Sequence, residues 1–268
     1  MSEVLRIAMI QTHLHWENPD ANLNHFEEKI SGINQAVDVI ILPEMFTTGF
    51  TMNPSGVTES GNSKTVKWLS LMAARTGALM LGSSIVKDQE KYFNRLFWVE
   101  PGGQILTYDK HHLFRMGNEH LVYDAGKKLL ISTWKGWRIC PLICYDLRFP
   151  VWSRNRYTAS DGLSYDLLIY VANWPAVRNA AWETLIRARA IENLSFVAAV
   201  NRIGQDGKQI DHIGNSAVIG PQGDIMLSLA SDDAVAISEI KRSDLKSYRD
   251  RFPAFLDSDP FDLDADFQ

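Results

Sequence analysis

Val37-Asp38-Val39-Ile40-Ile41-Leu42-Pro43-Glu44 and Tyr165-Asp166-Leu167-Leu168-Ile169-Tyr170-Val171-Ala172-Asn173 share one pattern, a short apolar run closed by a polar side chain. Runs of this length, bounded by polar residues, read as strands covered on both faces. Their surroundings repeat as well. Leu5-Arg6-Ile7-Ala8-Met9-Ile10-Gln11 predicts a buried strand ahead of the first run, and the stretch from Trp137 to Cys144 predicts one ahead of the second. Residues 22–33 read as a helix, and amphipathic helices are expected over 65–76 and 180–193. Each of these last two leads into a further apolar strand, 78–81 and 196–200. Each half then closes with a hairpin. Residues 97–99 turn at Pro101-Gly102-Gly103, and residues 217–219 turn at Pro221-Gln222-Gly223. In such turns Pro sets φ and Gly supplies the positive φ.

Each half thus reads strand–helix–strand–helix–strand–hairpin, and neither can cover its own continuous apolar strands. Two sheets stacked face to face with helices outside would cover them all. The expectation is an α/β fold, a four-layer α-β-β-α sandwich built from two similar halves as a single domain over residues 1–268. Pro141 removes a ladder donor from the strand leading to Cys144, so a bulge or an edge position is expected there. From about Tyr248 the chain carries Phe252, Phe255, Phe261 and several aspartates, and reads as an extended tail. Its aromatics would pack on a neighbouring surface, either of its own domain or of a second subunit.

With 46% hydrophobic and 22% charged residues, the 268-residue chain can form a sizeable core. A net charge of −5 argues against nucleic acid or an anionic membrane as partner. The apolar runs are too short to span a bilayer, and the N-terminal residues lack a secretory pattern. The two cysteines, Cys140 and Cys144, read as free thiols because four residues on one strand separate them too far for a disulfide. Free thiols suit a reducing cytoplasm.

Cys144 ends its strand and is followed by a turn leading towards a predicted helix. Such an elbow would lower a thiol's pKa and aim backbone N–H groups at a developing oxyanion. A small buried hydrophobe is the alternative for Cys144, and the better reading for Cys140. Glu44 holds the equivalent place in the first half, at the carboxyl edge where sites of such sheets collect. It reads as a general base or as a cap. Lys110 follows the first hairpin and reads as an oxyanion stabiliser or as a solvated charge, with Glu119 placed to orient it. His111, His112 and His120, and His13 with His15, lack a recognised metal-ligand spacing, so no metal site is expected. Neither a glycine-rich phosphate loop nor a GxSxG elbow is present.

Taken together, Leu42-Pro43-Glu44-Met45-Phe46, Asp109-Lys110 with Leu113-Phe114, Cys144-Tyr145-Asp146-Leu147-Arg148-Phe149-Pro150 and Ala172-Asn173-Trp174-Pro175 resemble the motifs of the nitrilase (carbon–nitrogen hydrolase) superfamily. The resemblance spans nearly the whole chain. It implies the same sandwich and a Glu-Lys-Cys triad on Glu44, Lys110 and Cys144, with Glu119 matching a second glutamate. Phe46-Thr47-Thr48-Gly49-Phe50 and Phe114-Arg115-Met116-Gly117-Asn118-Glu119-His120 are similar to the omega-amidase branch. That branch hydrolyses the terminal amide of 2-oxo acids such as 2-oxoglutaramate and 2-oxosuccinamate. A thioester mechanism without metal or organic cofactor is implied, with the Tyr145 backbone N–H as a second oxyanion donor. Arg148 and Arg115 are candidates for the substrate carboxylate, although Arg148 could instead pair with Asp146. Trp174, beside Asn173, could wall the pocket or simply pack in the core. The resemblance also implies a homodimer joined through helices near the nucleophile. Another amidase or an N-carbamoyl hydrolase of the superfamily, and a silent binding protein of the same fold, are the competing readings.

Overall fold

The computed structural model describes residues 2–57 and 63–261. One sheet contains β1 (Val4–Gln11), β2 (Val39–Ile41), β3 (Leu79–Asp88), β4 (Lys91–Val99) and β5 (Ile105–Asp109), joined by β16 (Ala234–Lys241). Its order is β16-β1-β2-β3-β4-β5. The other contains β6 (Ser132–Trp134), β7 (Trp137–Ile143), β10 (Leu167–Ala172), β11 (Phe196–Asn201), β14 (Ala217–Ile219) and β15 (Ile225–Ser228), in the order β15-β14-β11-β10-β7-β6. Two small hairpins stand apart: β8 (Tyr157–Thr158) with β9 (Gly162–Leu163), and β12 (Ile203–Gln205) with β13 (Asp211–Ile213).

The duplication read from the sequence is a duplication of sheet order. Strands β1, β2 and β3 run parallel and continue antiparallel through β4 and β5. Strands β7, β10, β11, β14 and β15 do the same. Each half also has an antiparallel strand beside its first, β16 on β1 and β6 on β7.

Side-chain alternation places the layers. Leu5, Ile7 and Met9 of β1 share a core with Ile139, Ile143 and Ile169 of the other sheet. Ala8 and Ile10 point the other way, onto Phe26 and Ile30 of α1 (Pro19–Ser31) and Leu69 and Met72 of α3 (Ser63–Thr76). A four-residue helix, α2 (Pro54–Val57), lies before α3. On the far side α4 (Asn179–Asn193) buries Trp182, Ile186 and Ala190. The layers are therefore helix, sheet, sheet, helix. Burying each large apolar side chain contributes roughly 1.5–3 kcal/mol, which makes the sheet-to-sheet face the main stabilising surface.

Two expectations need amendment. No α-helix follows Cys144; residues Cys144–Arg148 form a single 3-10 turn. Pro150 steers Phe149 out of the α region, and the Phe149 N–H closes onto the Asp146 carbonyl at 3.0 Å. Nor is the chain extended from Tyr248, because α5 (Arg242–Arg251) runs through it. Leu245 is buried in the central core, and Arg249 donates to Asp166 and to the Tyr165 and Leu194 carbonyls. Beyond α5, Phe255 meets Tyr157 and Phe261 lies under Arg156, while residues 262–268 of the expected tail lie outside the described residues. Pro141 resolves to a local edge, since β6 pairs with β7 only at residues 137–139 and β10 covers just the other side.

Candidate active site

Glu44 and Cys144 come together because the carboxyl ends of β2 and β7 meet across the sandwich; the place equivalent to Glu44 in the second half, past β10, belongs to Asn173. Glu44 and Cys144 are each at a backbone kink. Cys144 has φ +42° and Met45, next to Glu44, has φ +41°, left-handed values that strain a residue with a Cβ. Ser83 of β3 fixes the first kink, its hydroxyl and carbonyl receiving the N–H groups of Met45 and Phe46 at 2.8 and 3.0 Å. Asp146 fixes the second. Its carboxylate accepts from the Ile143 N–H, the Tyr108 hydroxyl and the His112 N–H, at 3.1, 2.7 and 2.9 Å.

The Glu44 carboxylate is fully buried and fully engaged. Oε1 accepts from Lys110 Nζ and Asn94 Nδ2, both at 2.8 Å, and Oε2 accepts from the Asn173 N–H at 2.8 Å. The Cys144 thiol lies beside the same carboxylate and the Asn173 backbone, both of which bear on its protonation. Lys110 directly follows β5, its N–H paired to the Asn94 carbonyl at 2.9 Å, and its ammonium also donates to both Glu119 oxygens at 3.0 and 2.9 Å. Glu119 in turn accepts the Phe114 N–H.

These contacts set the protonation states. Burial alone would lower the Lys110 pKa, but Glu119 and Glu44 outweigh it and hold the ammonium above its usual range. Burial raises the Glu119 pKa, with Glu44 adding to the rise and Lys110 opposing it. Burial also pushes the Cys144 thiol well above its ordinary value, and the adjacent Glu44 charge pushes further than Lys110 pulls back. The expectation that the elbow lowers this pKa is therefore corrected: the resting group is a thiol, because it is desolvated beside an anion. Such a thiol needs a base to become a nucleophile.

The site opens into a cavity of about 250 Å³. Tyr145, Arg148, Asn173 and Trp174 line it together with Cys144 and Lys110. Arg148 does not pair with Asp146; its guanidinium lies over the Trp174 ring, 5.0 Å from the centroid. Arg115 is exposed and does not line the cavity. A residue not anticipated takes that role: Arg178, which crosses the Phe114 ring at 5.5 Å. Among the described residues neither Arg148 nor Arg178 has a carboxylate partner. Of the histidines near Lys110, His111 stacks on Trp152 and His112 on Phe149, each with centroids 3.7 Å apart.

Asn94 and Asp146 were not singled out in the sequence as site residues. Asn94 had a weak signal, an amide between Tyr92-Phe93 and the apolar run Leu96–Val99 of β4. Asp146 stood inside the nucleophile's motif, but its partners Tyr108 and His112 come from the other half.

Comparison with known proteins agrees with this geometry. The sequence model of the family described as carbon-nitrogen hydrolase matches residues 6–250. Omega-amidase YafV of Escherichia coli K12 is 46% identical over 260 residues, covering 97% of this chain and 98% of that protein. The 2-oxoglutaramate amidase of Bacillus subtilis is 31% identical over 254 residues, covering 94% and 96%. The crystal structure of XC1258 from Xanthomonas campestris, a CN-hydrolase superfamily protein with an arsenic adduct in its active site, superposes with a TM-score of 0.95 at 45% identity. It covers 98% of this chain and 100% of that one.

Proposed function

Because this chain belongs to the carbon–nitrogen hydrolase family, we propose that it is an omega-amidase, releasing ammonia from the terminal amide of 2-oxo dicarboxylic acid monoamides such as 2-oxoglutaramate and 2-oxosuccinamate. The observation that carries this reading is the Cys144 thiol on the Glu44 carboxylate, opening into a small cavity with two arginines free of carboxylate partners. A monoamide of a dicarboxylic acid brings one carboxylate to meet them.

Glu44 takes the thiol proton as the Cys144 sulfur attacks the amide carbon. The oxygen that becomes negative is stabilised by the Lys110 ammonium and the Tyr145 N–H, and losing one such donor typically costs about 3–4 kcal/mol of barrier. Protonated Glu44 passes its proton to the leaving nitrogen, ammonia departs, and a thioester remains. A water deprotonated by Glu44 then attacks the thioester carbon; the C–S bond breaks, the dicarboxylic acid is released, and Glu44 returns its proton to the sulfur, restoring thiol and carboxylate. Glu119 touches no reacting atom in this scheme; it positions and charges Lys110. No step calls on a metal or an organic cofactor.

Two buried free thiols support a cytoplasmic setting. Among the described residues no helix is long and apolar enough to cross a membrane. Exposed Val151 and Val177, flanking the nucleophile's turn and the start of α4, support a homodimer through that face, testable by sedimentation. An ammonia-release screen over 2-oxoglutaramate, 2-oxosuccinamate, glutamine, asparagine and N-carbamoyl amino acids tests the substrate. The 2-oxo acid amides should be turned over fastest. Faster release of ammonia with carbon dioxide from the carbamoyl compounds would replace this reading with a carbamoyl hydrolase.

A further inference from the structure

Just past the carboxyl end of β1, three imidazoles converge. His13 and His15 alternate along the extended chain leaving β1, so their side chains share one face. His25 reaches the same point from α1. Ring centroids lie 5.0 Å apart for His13 and His15, 4.6 Å for His13 and His25, and 5.7 Å for His15 and His25. One ring nitrogen of each lies within 4.8 Å of those of the other two. We propose that His13, His15 and His25 form a binding site for one divalent transition-metal ion of the zinc class, separate from the catalytic centre.

Neutral imidazole is a ligand of choice for such ions, whereas calcium and magnesium prefer oxygen. Tetrahedral coordination at about 2.0–2.1 Å per bond places ligand nitrogens about 3.4 Å apart, so the rings must swing inward by about an ångström. Nothing bars that movement, since His15 is exposed and the His13 side chain is 45% exposed.

Asp233 stands behind one of the rings. Its Oδ2 faces His13 Nδ1 at 3.6 Å, which favours the proton on Nδ1 and leaves Nε2 with its lone pair. The Thr12 hydroxyl shares a 2.7 Å hydrogen bond with His25 Nε2, which leaves Nδ1 as the ring nitrogen of His25 outside that bond. A carboxylate behind the ligating histidines is the usual outer-shell arrangement of metal sites. The nearby cation Lys29 is itself paired to Asp233 Oδ1 at 2.5 Å.

The ion would clip the segment after β1 to α1, and that segment supports the cavity's rim. The Ile203 N–H donates to the Thr12 carbonyl at 3.1 Å, and the Trp16 indole fills the space where a Cβ on Gly207 would stand, 2.4 Å away. The hairpin so supported carries Lys208, Ile210 and His212 at the cavity.

The test is Zn²⁺ binding to the intact protein, measured by competition with a chromophoric chelator, together with thermal melting with and without Zn²⁺. One ion per chain is expected, with Tm raised by a few degrees at a hundredfold excess over Kd. His25→Ala and His15→Asn should each weaken binding at least tenfold and abolish the Tm rise. Cys144→Ala, which removes the other strong ligand, should leave stoichiometry and affinity unchanged. Should His25→Ala destabilise the metal-free protein, His15→Asn still decides, because that side chain is exposed. Absence of binding at micromolar free Zn²⁺, equal binding by the histidine variants, or loss of binding in Cys144→Ala would overturn the proposal.

Discussion

Glu44 and Asn173, 129 residues apart, exchange two hydrogen bonds: the Asn173 N–H meets Glu44 Oε2 at 2.8 Å, and the Asn173 side-chain amide meets the Glu44 carbonyl. Both residues lie just past the second strand of their half. The bonds therefore join the same topological point of the two halves, and they lock the base's carboxylate against the end of β10, the neighbour of the strand β7 that carries the thiol. The Asn173 backbone also reaches Cys144, so one asparagine orients both reacting groups.

Glu44→Gln should reduce kcat by at least 10²–10⁴-fold, since it removes both the proton acceptor and the proton donor to ammonia. It also removes the negative charge that helps raise the thiol. The Cys144 pKa, followed by thiolate absorbance against pH, should accordingly fall in Glu44→Gln. An unchanged or higher value would mean that Glu44 does not act on this thiol.

Cys144→Ala should release no ammonia while melting near the parent temperature. Cys140→Ala should keep most activity, because its sulfur is fully buried in the core and does not line the cavity; the lost packing should cost about 1 kcal/mol. Iodoacetamide labelling separates the two, with substrate protecting Cys144. A folded but inactive Cys140→Ala would move the nucleophile.

Glu119→Gln leaves the buried ammonium with one carboxylate partner instead of two. The Lys110 pKa should drop, since the Glu119 charge does most to hold it up against burial, and kcat should fall by about 10–100-fold with little change in KM. A pure KM effect would show that Glu119 shapes the cavity rather than Lys110.

Arg148→Gln and Arg178→Gln separate the two candidates for the substrate carboxylate. The true partner, when removed, should raise KM for 2-oxoglutaramate by about 10–100-fold and leave turnover of a neutral amide unaffected, as expected for a charge-assisted bond of about 1.5–3 kcal/mol. If neither variant shifts KM, Lys208 at the cavity rim is the remaining cation.

His212, buried on the rim hairpin, has its pKa lowered to about 4 from an ordinary 6.5, by burial first and then by Arg202. The unfolded chain binds this proton more readily than the folded one. The stabilisation is thus present above pH 6.5 and is lost as pH falls towards 4, amounting to about 3 kcal/mol. His212→Gln should flatten the acid side of a urea-denaturation pH profile over that window. A profile of unchanged slope would show that His212 is not buried in its neutral form.

Much of this was legible in the chain itself. Continuous apolar runs such as Ile40-Ile41-Leu42 and Leu167-Leu168-Ile169 demand cover on both faces, and their repetition at matching positions dictates two stacked sheets with helices outside. Polar side chains closing such runs, Glu44 and Asn173, were readable as edge residues for the same reason. Other features depended on contacts between distant segments. Whether Cys144 rests as a thiol depends on its desolvation and on Glu44, a hundred residues earlier, so the local turn misleads about its pKa. The helix expected after Cys144 gave way to a 3-10 turn held by Asp146, whose partners Tyr108 and His112 lie in the other half. Arg178, not Arg115, faces the cavity because the 3-10 turn before α4 sets its direction. His25 joins His13 and His15 only because α1 folds back across β1. Local periodicity carries the layers; electrostatics, which act through space, were decided by the tertiary structure alone.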